Sequence, residues 1–213
     1  MTDPERRKKR SEELLKTQGI PINPSLPTIE SEEETTPRSA EAMAKRAVGL
    51  CAAALRANGF EQQEVISLLN GKDVWASATP KEKKFLLKKK PARQEMINFK
   101  WRYESLSVLL WALGHSDDLG APTSICDVQG TVRMVLEIPS EDFIQRAKSR
   151  PISEILDEAD LIYRYDWAVV DARIKGEDPP GNLDPGVVYE RHYALNWLIG
   201  YMDQEWDDVT TDT

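Results

Sequence analysis

VVYERHYALNWLIG, residues 187–200, is apolar on nearly every side of a helical wheel, yet Glu190, Arg191 and His192 follow one another within it and Asn196 lies one turn beyond the histidine. A helix that is hydrophobic all round belongs inside a protein. A charge carried inside with it must be paired, because an uncompensated one is strongly destabilising there. The rest of the chain therefore has two tasks: to cover this segment and to bring partners to its polar groups.

Working outward, Asp184-Pro185 reads as the N-cap and first-turn proline of this helix, and Gly200 as its stop. GEDPPGN, residues 176–182, is a tight loop back to a second long core helix, Pro151–Lys175. Its inner stripe runs Ile155, Ala159, Ile162, Tyr163, Asp166, Val170, which sets a carboxylate in an apolar face, with Arg173 two turns on. A neighbouring stripe carries Asp160 and Arg164 in the favourable i,i+4 order. That pair is expected at the surface or rim, where such pairs contribute about 0.3–0.5 kcal/mol.

Gln94–Leu113 predicts one long core helix ended by Gly114. One stripe holds Ile97, Trp101, Glu104, Val108 and Trp111; the next holds Phe99, Arg102, Leu106, Leu109 and Leu113. Arginine can lay its stem along apolar surface and keep its head in water. Glu104 is shorter, stands between two tryptophans, and needs a cation or several donors if buried. After this helix, HSDDLGAPTSICDVQG (115–130) is turn chemistry, with His115 as a solvent-facing cap. A short helix follows near Thr131–Glu137, and Ser140 opens another running to about Ser149.

In the first half, Arg38–Asn58 is an alanine-rich helix with Met43, Ala47, Leu50 and Ala54 on one face and Gly59 as its stop. Glu61–Asn70 forms a shorter helix. Thr79-Pro80-Lys81-Glu82 is a capping box opening the next. Lys81–Arg93 then holds seven basic residues and one acid; lysines at a helix C-terminus complement its dipole, and without interleaved aromatics they are a poor base-binding surface. At the start, Asp3-Pro4 opens a helix through Gln18 with few apolar residues, whose basic cluster Arg6–Arg10 is expected to be solvated and partly frayed. Three prolines make residues 20–36 an extended strap, with Ile20, Ile22, Leu26 and Ile29 spaced to lie on a surface.

The expected architecture is all-α: a single multi-helix domain of seven to nine helices, with an N-terminal helix and strap (1–36) packed on a helical core (37–213). A chain of 213 residues, 40% of them hydrophobic, suits one sizeable core. No apolar run approaches the roughly 20 residues of a membrane span. No apolar segment follows the basic N-terminus as in a secretory signal, and two cysteines suggest no disulfide framework, so the plain reading is a cytoplasmic protein. Residues 1–100 hold 19 Lys+Arg against 14 Asp+Glu, and residues 101–213 hold 9 against 22, giving +5 and −13 and the overall −8. That acidity argues against nucleic acid as partner, while the asymmetry leaves a homodimer open.

WRYESLSVLLWALG (101–114), LDEADLIYRYDWAVVDARI (156–174), VVYERHYALNWLIG (187–200) and WDDVTTDT (206–213) resemble the domain-of-unknown-function family 4272 (DUF4272). The resemblance extends over most of the chain. It implies a mainly helical, cytosolic bacterial protein and brings no activity, cofactor or catalytic position with it.

The candidate polar network or pocket comprises Arg102, Glu104, Asp166, Arg173, Glu190, Arg191, His192 and Asn196. In one reading these groups pair across helices and fix the packing. In the other, a carboxylate and His192 line a pocket and do acid–base work. Glu190 and His192 are two apart and face different sides of a helix, unlike chelating i,i+3 or i,i+4 pairs, so no metal site is expected. There is no GxSxG, P-loop, GxGxxG or CxxC, and no cofactor is implied. Cys51 reads as a small core hydrophobe. Asp207, Asp208 and Asp212 in the tail lack the glycine and glutamate of an EF-hand; Trp206 is expected to dock the tail, with its acids meeting Arg102, Arg191 or the Lys81–Arg93 patch. The sequence thus favours a non-enzymatic module that binds a protein or small molecule. The alternative is a hydrolase-like site on Glu104, Asp166, Glu190 and His192.

Overall fold

A computed structural model describes residues 2–213. Among them are nine α-helices and no strand, in agreement with the all-α expectation. The long helices stand side by side. The final helix α9 (Pro185–Ile199) packs between α6 (Arg102–Ala112) and α8 (Ile152–Lys175), α6 packs on α2 (Ala40–Ala57), and α8 packs on α1 (Asp3–Thr17). Shorter helices α3 (Gln62–Gly71), α4 (Pro80–Leu86), α5 (Arg93–Lys100) and α7 (Val128–Glu137) close round α2. No helix among the described residues is long and apolar enough to cross a membrane.

Composition explains which helices are central. Alanines and glycine along α2 let its neighbours approach, and every residue from Ala47 to Leu55 is buried. In α9 everything from Glu190 to Ile199 is buried, charges included. Asp184 caps α9 by accepting from the backbone N–H groups of Gly186 (2.8 Å) and Val187 (3.2 Å), as the Asp-Pro signal indicated. At its other end Gly200 takes the left-handed conformation (φ 70°) that favours glycine.

Four local expectations are corrected. The stretch 94–113 is two helices, parted at Trp101, where the chain tightens to an i→i+3 bond from Glu104 N–H to the Trp101 carbonyl. The Trp101 ring is seated against Gly186, where a Cβ would come within 2.4 Å of it. The helix drawn to Ser149 is only a five-residue π-turn, Glu141–Gln145. The chain then extends, and Arg150 satisfies the C-terminus of α6: its N–H donates to the Ala112 carbonyl (2.8 Å) and its guanidinium to that of Trp111 (2.7 Å). Thr2, not Asp3, caps α1, in a reciprocal box with Glu5. Finally, α1 runs unbroken from Asp3 to Thr17 rather than fraying; Arg6, Lys9 and Arg10 are exposed as expected, but Arg7 is buried, held by Asp3 (3.1 Å) and Asp157 (3.0 Å).

Beyond α1, Ile20 and Leu26 of the strap are buried and Ile22 and Ile29 half-buried. The reason for its close seating lies in α8. Asp160 and Arg164, expected at the surface, are 0% and 2% exposed. They form a two-pronged pair at 2.9 and 2.6 Å, and Arg164 also donates to the Pro27 carbonyl of the strap. The i,i+4 spacing was right; the strap and α1 bury the pair.

Candidate functional site

Glu190, Arg191 and His192 are consecutive, so their side chains leave α9 about 100° apart. Each meets a different partner. Glu190 points at α6: Arg102 Nη1 donates to its two oxygens at 3.1 and 3.3 Å, and the Ser105 hydroxyl donates to Oε2. Burial pushes the Glu190 carboxyl above its ordinary value of 4.5, against the opposing pull of Arg102 and Ser105. The Arg102 guanidinium also lies over the Tyr193 ring, 4.7 Å from its centroid, a favourable cation–π position.

Arg191 turns toward the loop before α7. It donates to the Gly120 carbonyl at 2.8 Å, and its Nε lies 3.7 Å from Glu104 Oε2. Glu104 accepts instead from the backbone N–H of Cys126 through Oε1. Glu158 faces the same cation; burial raises its carboxyl above 4.5, with Arg191 opposing. Burial, with Glu104 adding to it, pushes the Cys126 thiol up to about 12.

His192 faces α8. Its Nδ1 is 2.8 Å from Asp166 Oδ2, so the imidazole Nδ1–H donates to the carboxylate, and the Tyr163 ring is tilted against it at 5.9 Å. Asn196 is spent on the tail, donating to the Thr210 carbonyl at 2.8 Å.

Of the eight sequence-derived candidates, Glu104, Asp166, Glu190, Arg191, His192 and Asn196 are buried, and Arg102 is half-buried beside Glu190. Arg173 is a correction: it is exposed, because the last turn of α8 carries no cover on that side. The buried groups do not gather round one hollow. They form separate pairs on different sides of α9, with His192–Asp166 facing α8 and the other two pairs facing α6 and the 120–126 loop. Surface cavities among the described residues include five of 280–860 Å³, and His192 and Asp166 line none of these five. Among the described residues no three His, Cys, Asp or Glu side chains cluster as a metal-ion site.

Sequence reasoning missed one buried pair altogether. Arg46 of α2 donates to Glu82 of α4, and both are buried. Glu82 was legible only as the acid of a capping box, a role it does fill; the available hint was one arginine among small core residues of α2. His115 is also corrected. It is half-buried and stacked on Phe143 at 5.3 Å rather than facing solvent, and burial lowers its pKa below 6.5.

The tail docks as its aromatic residue suggested. Trp206 is buried edge-on against Tyr193 and Trp197, and the Tyr193 hydroxyl donates to its carbonyl. Asp207 accepts from the Lys81 backbone N–H at 3.0 Å.

These features define a class: a sheet-free helical protein whose innermost helix is wired to its neighbours by separate ion pairs. Residues 7–209 match the family described as Domain of unknown function (DUF4272), and the chain belongs to that family. No curated protein and no solved structure matches it.

Proposed function

We propose that this protein is a non-enzymatic binding module, in which the charges around α9 hold the helices in one arrangement and the ligand-accepting surface lies on the outer side of that frame. One observation carries the reading: three consecutive ionisable residues each close on a different partner, and neither His192 nor the carboxylates Asp166 and Glu190 open onto the five cavities described above. Acid–base catalysis requires the proton-transferring group within hydrogen-bond reach of a substrate, and the most catalytic-looking couple, His192–Asp166, lines none of the five cavities.

The test is a stability series. Active-site polar groups are commonly neutral or unfavourable for folding, whereas breaking a buried ionic pair from one side costs about 3–5 kcal/mol. Asp166→Ala, Glu190→Ala and His192→Ala should each lower the midpoint of thermal unfolding by several degrees. Variants that keep or raise the midpoint would support the hydrolase-like reading instead.

A further inference from the structure

Between α4 and the α5–α6 junction lies a surface cavity of about 280 Å³, walled by Lys81 and Lys84 on one side and by Asn98, Phe99 and Arg102 on the other. The volume sits at the small end of the range for ligand sites, room for one charged group and a short body. Three of its side chains are cations. Of these, Lys81 is already occupied, its ammonium donating to the Asp207 carbonyl. Glu95 also lines the cavity, but its Oε2 accepts from Lys88 (2.8 Å) and from the Ala92 N–H (2.7 Å), so its charge is met by its own partners.

Arg102 is the fixed point of this wall. Nη1 holds both oxygens of Glu190, and the guanidinium lies over the Tyr193 ring, so its orientation is set from inside. Its other edge is unspent. Nε and Nη2 carry no acceptor among the described residues, neither is a buried atom, and 21% of the side chain is exposed. These two N–H groups make the planar fork that matches two oxygens of a carboxylate or phosphate. Arg164 shows the same fork filled: its Nε and Nη2 take the two oxygens of Asp160 at 2.9 and 2.6 Å. Across the cavity Lys84 is exposed, and its ammonium makes no hydrogen bond or ion pair among the described residues. Asn98 accepts from Gln94 through Oδ1 (2.9 Å), which leaves its Nδ2 as a donor.

From a fixed, open guanidinium fork and an unpartnered ammonium on one cavity, we propose that the cavity binds a small phosphate monoester, with two phosphoryl oxygens on Arg102 Nε and Nη2, the third on Lys84 and Asn98, and the carbon body against the Phe99 ring. A phosphate monoester carries nearly two negative charges at neutral pH and three acceptor oxygens, which matches two unspent cations. A carboxylate brings one charge and two oxygens, enough for the fork and nothing for Lys84. A cationic ligand would meet like charge. The proposal rests on the binding-module reading and names its ligand class: the Glu190–Arg102 pair ties α6 to α9 on its inner side and presents the guanidinium on its outer one.

The experiment uses the full chain, isotope-labelled for NMR and titrated at pH 7.5 with phenyl phosphate, inorganic phosphate and benzoate. Ionic strength is held constant, because salt screens exposed cations. Phenyl phosphate should give saturable shifts at Lys84, Asn98, Phe99 and Arg102, the Arg102 Nε–H included, and inorganic phosphate should move the same signals. Benzoate should bind at least about tenfold more weakly, as expected when a charge-assisted hydrogen bond is lost. Arg102→Lys keeps a cation for Glu190 but has no fork, and should weaken phenyl phosphate to a similar degree. Because Arg102 also holds the fold, Lys84→Ala serves as a second variant. It removes an exposed, partnerless side chain, and should weaken phenyl phosphate about tenfold while leaving benzoate nearly unchanged. No saturable shift below about 10 mM, benzoate equal to phenyl phosphate, Lys84→Ala without effect, or shifts spread instead over Lys88–Lys90 and Arg93 would overturn the proposal. The alanine series uses no probe, so loss of stability there with no phosphate binding here would remove the ligand class and leave the binding-module reading standing.

Discussion

At the scale of single residues, Glu190 shows how burial and pairing compete. Desolvation raises its carboxyl above 4.5 although Arg102 and Ser105 both stabilise the charged form. A carboxyl whose folded value is raised favours folding most below its unfolded value, and that contribution is lost as pH rises through the folded one. Glu190→Gln cannot titrate. The stability of the natural protein relative to Glu190→Gln, read from urea unfolding, should therefore fall as pH rises above about 4.5. At pH 7 the glutamine should therefore cost little or nothing, whereas Glu190→Ala, which strips Arg102 and Ser105 of their partner, should cost about 3 kcal/mol. His115 gives the opposite sign. Its lowered pKa means the fold prefers the neutral ring stacked on Phe143, so its contribution is complete above pH 6.5 and declines as pH falls toward the folded value. An NMR titration of His115 should place its midpoint below 6.5, and Phe143→Leu should move it back up. The polarity of these positions was legible, since Glu104, Asp166 and Glu190 fall on core-facing phases of apolar helices. Their partners were not, because periodicity fixes the side of a helix and not what stands opposite. Arg173 shares a stripe with Asp166 yet is exposed, since phase alone does not say where a neighbouring helix stops.

Helices show the same limit in another form. Start and stop signals located α2, α8 and α9, and the start of α4, to within about two residues, since caps and left-handed glycines are local chemistry. The break at Trp101 has no local signal; it follows from the seat that Gly186 leaves for the indole. Gly186→Ala should displace that ring and lower stability by about 1–3 kcal/mol, the usual cost of forcing atoms into a packed site. Tryptophan fluorescence would report the displacement. The Asp160–Arg164 pair was identified correctly in sequence and misplaced in energy. Exposed, it would contribute a few tenths of a kcal/mol. Enclosed by α1 and the strap, with Arg164 also holding Pro27, its loss should follow the buried rule. Asp160→Ala is expected to cost about 3 kcal/mol, and hydrogen exchange should then quicken through residues 20–29. Unchanged exchange there would mean that the strap is held without Arg164, by Ile20 and Leu26 and by the Lys8 ammonium on the Pro24 and Leu26 carbonyls.

For the molecule as a whole, the charge imbalance between the halves is partly resolved at the tail. Glu205 of the C-terminal half returns to Arg38 of the basic first half as an ion pair, and the Asp207 carboxylate beside it accepts from the Lys81 backbone N–H. Yet these contacts are partly exposed, and pairs of that kind contribute about 1 kcal/mol or less and weaken with salt. Trp206 is the stronger attachment. Its ring lies against Tyr193 and Trp197 and beneath the guanidiniums of Arg46 and Arg102, 5.4 and 5.9 Å from its centroid. One indole therefore touches residues of α2, α6 and α9. Trp206→Ala should cost about 3–5 kcal/mol, the range for emptying a buried aromatic site, and should raise hydrogen exchange from Tyr201 to Val209 together with that around Arg46. Glu205→Ala, which removes the exposed ion pair with Arg38, should change stability by less than about 1 kcal/mol and make it less sensitive to salt. If the two substitutions cost the same, ionic contacts rather than aromatic packing would hold the two halves together at this end of the protein.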